Sequence, residues 1–357
     1  MLQPDKSMTN IILYLNKLIR SNKKIDSTKT IAIFGSPRSG TTWLMEILRL
    51  LPNYTYLSEP INPIFFPEAF DLGFTSRTYL SPEVDWPAGE KYLHEVFQGQ
   101  IMNHPIPKNL IKKNQSYPLN HSSFKQKFLL NEFEPRTFIN YLFANKLIVK
   151  FVRLNRLLPW ISQRFQLRGT IYVIRHPCAV VASQLQTGFC GYHPPSPPYT
   201  DIYPSLNQIL YEASEIKWLN NDILNNLKEI KTREEILAAA WCLDNIIPLS
   251  FAKLYPWTIV VYEKLIKEGD KELQRIFHEL GEKTISPKIY EYLTKPSKLT
   301  VSQEKNKVIQ KDLQLKKWKK YLTEEQIQRI LTIVYDFGLD FFSEDTEPDY
   351  NRMKLVK

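Results

Sequence analysis

The chain has 357 residues, enough for one large α/β domain or two small ones, and 43% of them are hydrophobic, enough to fill a complete core. A formal net charge of +10 suits an anionic ligand, but also nucleic acid or an acidic membrane. No run of about eighteen apolar residues occurs, which excludes an obvious membrane-spanning helix.

At the start of the chain, Ile11, Ile12, Leu15, Leu18 and Ile19 recur at roughly helical spacing, with Lys17, Arg20, Lys23 and Lys24 among them. This predicts a helical extension over 1–29. It either docks on the domain or lies on an anionic membrane through residues 8–24. Its first residues are too polar for a secretory signal, and Cys178, Cys190 and Cys242 have no metal-binding spacing and cannot all pair. Reduced thiols and a cytoplasmic location are therefore expected.

Short apolar, β-branched runs predict five strands at about residues 30–35, 54–58, 146–152, 170–175 and 257–262. Helical patterns lie between them, so an α/β fold is expected: a P-loop-like, mainly parallel central sheet of five strands flanked by helices. We read one domain over 30–345 and a C-terminal tail over 346–357. Two segments, 60–133 and 187–232, interrupt the alternation. The first is rich in Pro, Tyr, Phe and Asn, and the second carries Pro194, Pro195, Pro197 and Pro198. They read as insertions at strand ends, where substrate pockets are usually built.

The first strand runs into Gly35-Ser36-Pro37-Arg38-Ser39-Gly40-Thr41-Thr42-Trp43. Two glycines framing four residues and followed by hydroxyl side chains have the spacing of a phosphate-cradling loop. Backbone N–H groups converge on an anion in such a loop, and the helix that follows adds the positive end of its dipole. Thr41 stands where an NTP-hydrolysing loop carries lysine, and the cation lies inside the loop as Arg38. A nucleotide kinase or NTPase would also need a strand-end Asp for magnesium, and none is found at the expected place. Trp43 is either a platform for a base or a core aromatic.

Ligands of open parallel sheets bind beyond the carboxyl ends of the strands. Five further charged residues fall on that rim: Glu59 after the second strand, Lys150 and Arg153 after the third, Arg175 after the fourth and Glu263 after the fifth. The fourth strand continues as Arg175-His176-Pro177, with Pro177 opening a helix and Ser183 two turns along it. Arg175 and Ser183 reach one anion only if the chain turns at His176-Pro177. Of the other histidines, His94, His104, His121 and His193 lie in the insertions, where each is either structural or within reach of the acceptor as a base, and none forms a metal-type pair.

Taken together, the Ser36–Trp43 loop and the Val173–Ser183 segment resemble the two donor-binding segments of the PAPS-dependent sulfotransferase family. Val260-Val261-Tyr262-Glu263-Lys264-Leu265 and Trp318–Glu325 are similar to its later motifs, so the resemblance spans about residues 30–340. It implies 3'-phosphoadenylyl sulfate as donor, 3',5'-ADP as product, no metal, and an acceptor hydroxyl on a glycan, glycolipid, peptide or small molecule rather than nucleic acid. By the same resemblance, Ser36, Pro37, Arg38, Ser39, Gly40, Thr41 and Thr42 hold the 5'-phosphosulfate, and Arg175 and Ser183 hold the 3'-phosphate. Trp43 would stack on adenine, and Lys295 and Ser297 would close over the 3'-phosphate or remain in a solvated loop.

The chain departs from the cytosolic small-molecule branch. That branch has lysine at the Arg38 position and a Lys-x-His whose histidine is the base, where this chain reads Lys150-Phe151-Val152. It is more similar to the carbohydrate and tyrosylprotein branches, in which a glutamate is the base, and Glu59 occupies that position. Glu59 is thus a catalytic base or a structural ion-pair partner, and Lys150 a sulfate contact or a strand-end charge.

Overall fold

In a computed structural model of the chain, the structure describes Leu18 and residues 22–75, 77–101, 141–194, 200–282, 285–293 and 311–356. Five strands form one sheet: β1 (Thr30–Gly35), β2 (Tyr54–Ser58), β3 (Lys146–Phe151), β4 (Gly169–Ile174) and β5 (Thr258–Val261). Their order is β2-β3-β1-β4-β5, and every neighbouring pair is parallel.

β1 lies at the centre and every residue in it is buried. Its side chains alternate between two apolar cores: Ala32 and Phe34 join Val149, Phe151 and Tyr172 on one face, and Ile31 and Ile33 join Ile148, Ile171 and Val173 on the other. Helices cover both faces, which is why these strands read as unbroken apolar runs rather than alternating ones.

The helices that matter for the site are α1 (Thr41–Leu48), α2 (Pro177–Thr187), α3 (Arg233–Phe251), α4 (Tyr262–Glu268) and α5 (Glu324–Asp336). α3 and α5 each start with a reciprocal capping box, Thr232 with Glu235 and Thr323 with Gln326. The α2 helix has Pro177 in its first turn and stops at Gly188, whose φ of 66° suits a glycine.

The strand order decides where a ligand binds. From β1 the chain leaves towards β2 on one side of the sheet; from β4 it leaves towards β5 on the other. β1 and β4 are neighbours, with Gly35 paired to Val173. Their carboxyl ends therefore diverge around a crevice, the topological switch point at which open α/β sheets bind ligands.

Three strands differ by one residue at one or both ends from the sequence expectation, and β5 also starts one residue later, at Thr258. β3 stops at Phe151, β4 runs from Gly169 to Ile174, and β5 stops at Val261 because Tyr262 already begins α4. Most of the 8–24 segment, and Lys295 and Ser297, lie outside the described residues. Among the described residues no helix is long and apolar enough to cross a membrane.

Candidate functional site

The loop after β1 closes tightly over Gly35. A Cβ there would lie 2.6 Å from Ser39 Oγ and from Thr41 Cγ2, and 2.9 Å from the Val173 carbonyl oxygen. At Gly40, φ is 98° and a Cβ would meet the Tyr262 ring at 2.5 Å. Only glycine fits at either position. Between them Arg38 takes a φ of 74°, a strained backbone for a residue with a side chain, of the kind that collects at functional sites.

The second segment folds against this loop. The chain turns at His176, and Arg38 Nε donates to Ser183 Oγ at 2.8 Å while Arg175 Nη1 donates to the Arg38 carbonyl at 2.9 Å. Arg38, Arg175 and Ser183 thus meet across the β1–β4 crevice. Arg175 is stacked 4.4 Å over the Tyr262 ring. Burial, and then the charge of Arg175, pulls the Arg38 guanidinium down to about 10. Two buried polar atoms here have no hydrogen-bond partner among the described residues: Ser39 Oγ and Arg175 Nε. Orphaned polar groups beside two guanidiniums and a glycine-framed loop fit a bound polyanion.

The rest of the loop is braced from α2 and α3. Gln184 Nε2 donates to the Pro37 carbonyl at 3.2 Å, and Asn245 Nδ2 lies 3.3 Å from Ser36 Oγ. Asn245 is oriented by Tyr172, whose hydroxyl donates to its Oδ1 at 2.5 Å. Trp43 is buried in the core beside the loop, edge-on to Tyr262 at 5.9 Å.

Glu59 follows β2 with a φ of 57°. Its N–H donates to the Lys150 carbonyl at 2.8 Å, and its side chain is buried. Oε1 is 2.8 Å from Lys150 Nζ and Oε2 is 2.6 Å from Arg153 Nη1. Lys150 also donates to Thr42 Oγ1 at 3.1 Å, so a continuous polar chain runs from the Gly35–Thr42 loop through Lys150 to Glu59.

His176 is more than a turn residue. Its Nδ1 accepts from the Cys178 N–H and its Nε2 lies 2.9 Å from the Ser343 carbonyl, which assigns the proton to Nε2. Burial pushes it down to about 4. The His176 N–H donates to Glu263 Oε1 at 3.0 Å, and burial pushes Glu263 up to about 7.

No family model and no curated protein matches the chain. The solved structures to which it is similar include three sulfotransferases. One is the sulfotransferase domain from the Synechococcus PCC 7002 olefin synthase, with a TM-score of 0.40 and 16% identity over 88% of this chain and 96% of that one. Another is the sulfotransferase domain from the curacin biosynthetic pathway, with a TM-score of 0.42 and 14% identity over 86% and 96%. The third is a sulfotransferase from Mycobacterium avium, with a TM-score of 0.40 and 11% identity over 94% and 82%.

Several residues that shape the crevice carry no local sequence signal. Arg77 donates through Nη1 to the Gly191 carbonyl at 3.0 Å and through Nη2 to the Cys190 carbonyl at 2.9 Å, and its Nε lies 3.0 Å from the Asp244 carboxylate. Asp244 also accepts from Arg156 Nε at 2.9 Å, and Arg156 Nη1 pairs with Glu212 at 2.7 Å. Burial opposes the Arg156 charge, but Glu212 and Asp244 outweigh it and hold the guanidinium above its ordinary range. A pattern search misses such a network because its members are far apart in the chain.

Proposed function

We propose that this chain moves a sulfuryl group from 3'-phosphoadenylyl sulfate to an acceptor hydroxyl, with a carbohydrate or glycolipid as the favoured acceptor class. One observation carries the reading: Arg38, Ser183 and Arg175, from two separate segments, are joined across the switch-point crevice next to the orphaned Ser39 Oγ. A 3'-phosphorylated nucleotide presents two anionic groups, and these two segments offer a cationic partner for each. We assign residues 30–345 to one catalytic domain, with the 60–133 and 187–232 insertions on the acceptor side.

The donor supplies an activated sulfuryl group for in-line displacement by an oxygen nucleophile. In such a transfer the protein acts mainly by positioning and by stabilising charge. Arg38 is assigned to the negative charge that grows on the leaving phosphate oxygen. Glu59 is assigned as the general base that accepts the hydroxyl proton. Each of its oxygens has one cationic partner, and a carboxylate has about four lone-pair sites, so accepting capacity remains on both. Lys150 is assigned to hold Glu59 in register with Thr42.

Thermal shift separates this reading from a nucleotide kinase or NTPase: 3',5'-ADP should stabilise the protein strongly and ATP weakly. Arg175→Ala should abolish the 3',5'-ADP shift, and an undiminished shift would refute the 3'-phosphate site. Labelled donor should be offered with a panel of a sulfate-free glycosaminoglycan oligosaccharide, galactosylceramide, a tyrosine-containing peptide and p-nitrophenol. Label on the peptide or the phenol in place of the sugars would move the acceptor assignment to the tyrosylprotein or small-molecule class. Glu59→Gln should keep the 3',5'-ADP shift and lose transfer by at least about a hundredfold. Full transfer in that variant removes Glu59 as base.

A further inference from the structure

We infer that Arg153 is a positioning residue for the transfer proposed above, with one guanidinium that aims the Glu59 carboxylate and ties it to the chain segment following α2. The inference rests on the assignment of Glu59 as base, and it supplies what holds that base in place.

Arg153 lies two residues beyond β3 and its side chain is completely buried. Its three nitrogens go to three places. Nη1 pairs with Glu59 Oε2 at 2.6 Å, Nη2 lies 2.8 Å from His193 Nε2, and Nε donates to the Gly191 carbonyl at 3.1 Å. Asp201 Oδ1 is 3.8 Å from Nη2 and 4.0 Å from His193 Nε2. The guanidinium also faces the Phe189 ring at 5.8 Å. His193 Nδ1 lies 3.0 Å from the Thr200 carbonyl, which needs a donor. That bond places the ring proton on Nδ1 and leaves the Nε2 lone pair facing Arg153. His193 is therefore a neutral acceptor for Arg153 and not a second cation.

The segment held in this way is a wall of the crevice. Gly191 packs so closely on the phosphate loop that a Cβ would meet Pro37 Cγ at 2.7 Å. Its carbonyl accepts from both Arg77 and Arg153. Tyr192 and Ile202 form an antiparallel bridge, with the Ile202 N–H donating to the Tyr192 carbonyl at 3.0 Å. One arginine thus sets the distance between the Glu59 carboxylate, at the end of β2, and a strap that touches the donor loop. Burying a guanidinium without paired acceptors is strongly unfavourable, and a lysine cannot serve three directions from one rigid plane. An arginine with a purely structural role has no need to spend one of its three nitrogens on the carboxylate assigned as base.

The test compares wild type with Arg153→Lys, His193→Ala, His193→Gln and Glu59→Gln in the full chain. The readouts are the 3',5'-ADP thermal shift, kcat and donor KM on the panel member that wild type labels fastest, and hydrogen exchange at the Ile202 amide. Arg153→Lys should keep the thermal shift and the donor KM and lose at least about tenfold in kcat. His193→Ala should lose kcat in the same way. His193→Gln, which restores a neutral acceptor, should recover most of it. Ile202 exchange should accelerate at least about tenfold in Arg153→Lys and also in Glu59→Gln, although Glu59 does not touch that strand pair.

A kcat within about twofold of wild type in Arg153→Lys, or unchanged Ile202 exchange in Glu59→Gln, overturns the inference. If Arg153→Lys does not fold, the contrast between His193→Ala and His193→Gln decides, and equal kcat in the two overturns it. If wild type labels no panel member, the transfer reading fails instead, and the exchange measurement alone decides whether Arg153 couples Glu59 to the strap.

Discussion

The two sides of the crevice are built on different principles. On the side proposed to hold the donor, eight consecutive residues do most of the work: Gly35 and Gly40 permit the fold-back, and Arg38 accepts a left-handed backbone to face α2. On the side proposed to face the acceptor, Glu59, Arg77, Arg153, Arg156, Asp244 and the Cys190–His193 strap are held by buried charges that come from four separate stretches of chain. A phosphate group is recognised by backbone curvature, which a local sequence encodes. A wall assembled from distant segments has to be suspended from the scaffold, and here buried arginines suspend it. The two constructions should respond to mutation in opposite ways.

The largest expected effect is on the acceptor side. Asp244 on α3 is the shared counter-ion of Arg77 and Arg156, and all three are buried. Asp244→Ala leaves two buried guanidiniums short of an anion, so unfolding stability measured in urea should fall by about 3–5 kcal/mol. Asp244→Asn, which keeps the shape and one acceptor, should lose less. A loss below about 1 kcal/mol in Asp244→Ala would show that the network is a solvated ornament, and the contrast between the two sides would collapse.

A second test lies on the β4–β5 flank of the loop, where the His176 backbone N–H donates to Glu263 Oε1. His176 is pushed down to about 4 from its ordinary 6.5, so its contribution is fully present above pH 6.5 and is lost as pH falls towards 4. Glu263 is pushed up to about 7 from 4.5, so its contribution is fully present below pH 4.5 and is lost as pH rises through 7. Between pH 4.5 and 6.5 the two slopes oppose each other and nearly cancel. His176→Asn keeps a helix-capping acceptor but removes one slope. Relative to wild type, its stability should climb as pH falls from 6.5 to 4.5, by on the order of 3 kcal/mol. Glu263→Gln should show the reverse trend. Urea midpoints across that range check both, and identical profiles in the two variants would mean that neither group is held as described.

The contrast also explains what could be read from sequence. The five strands are local patterns, because a central parallel strand must be apolar on both faces, as β1 is. The Gly35–Thr42 loop is local too. Arg153 is not: its partners Glu59, Gly191 and His193 lie 94, 38 and 40 residues away. In the sequence it is one arginine among many on a basic chain, and only the packing of β2 against β3 turns it inward. Glu59 was legible as a rim carboxylate, but its two cationic partners were not. Trp43 stood open between a platform for a base and a core aromatic, and it lies buried, edge-on to Tyr262. His176 looked like part of a turn because the Ser343 carbonyl that fixes its proton comes from the far end of the chain.

The smallest expected effect is the sharpest test of the donor side. Ser39 Oγ is buried with no hydrogen-bond partner among the described residues. An unmet buried hydroxyl destabilises a fold by about 1–3 kcal/mol. If Ser39 served only the fold, there would be no reason for that hydroxyl, and removing it would help stability without other consequence. If it waits for an anion, Ser39→Ala should leave the free protein as stable as wild type or more so, yet reduce the affinity for 3',5'-ADP by about tenfold, the value of one lost hydrogen bond to a charged group. Stability and affinity then move in opposite directions in a single variant. Titration calorimetry with 3',5'-ADP, beside the melting temperature of the free protein, reads both quantities. Unchanged affinity in Ser39→Ala would place the anion elsewhere and leave the donor side with a strained loop that has no ligand to explain it.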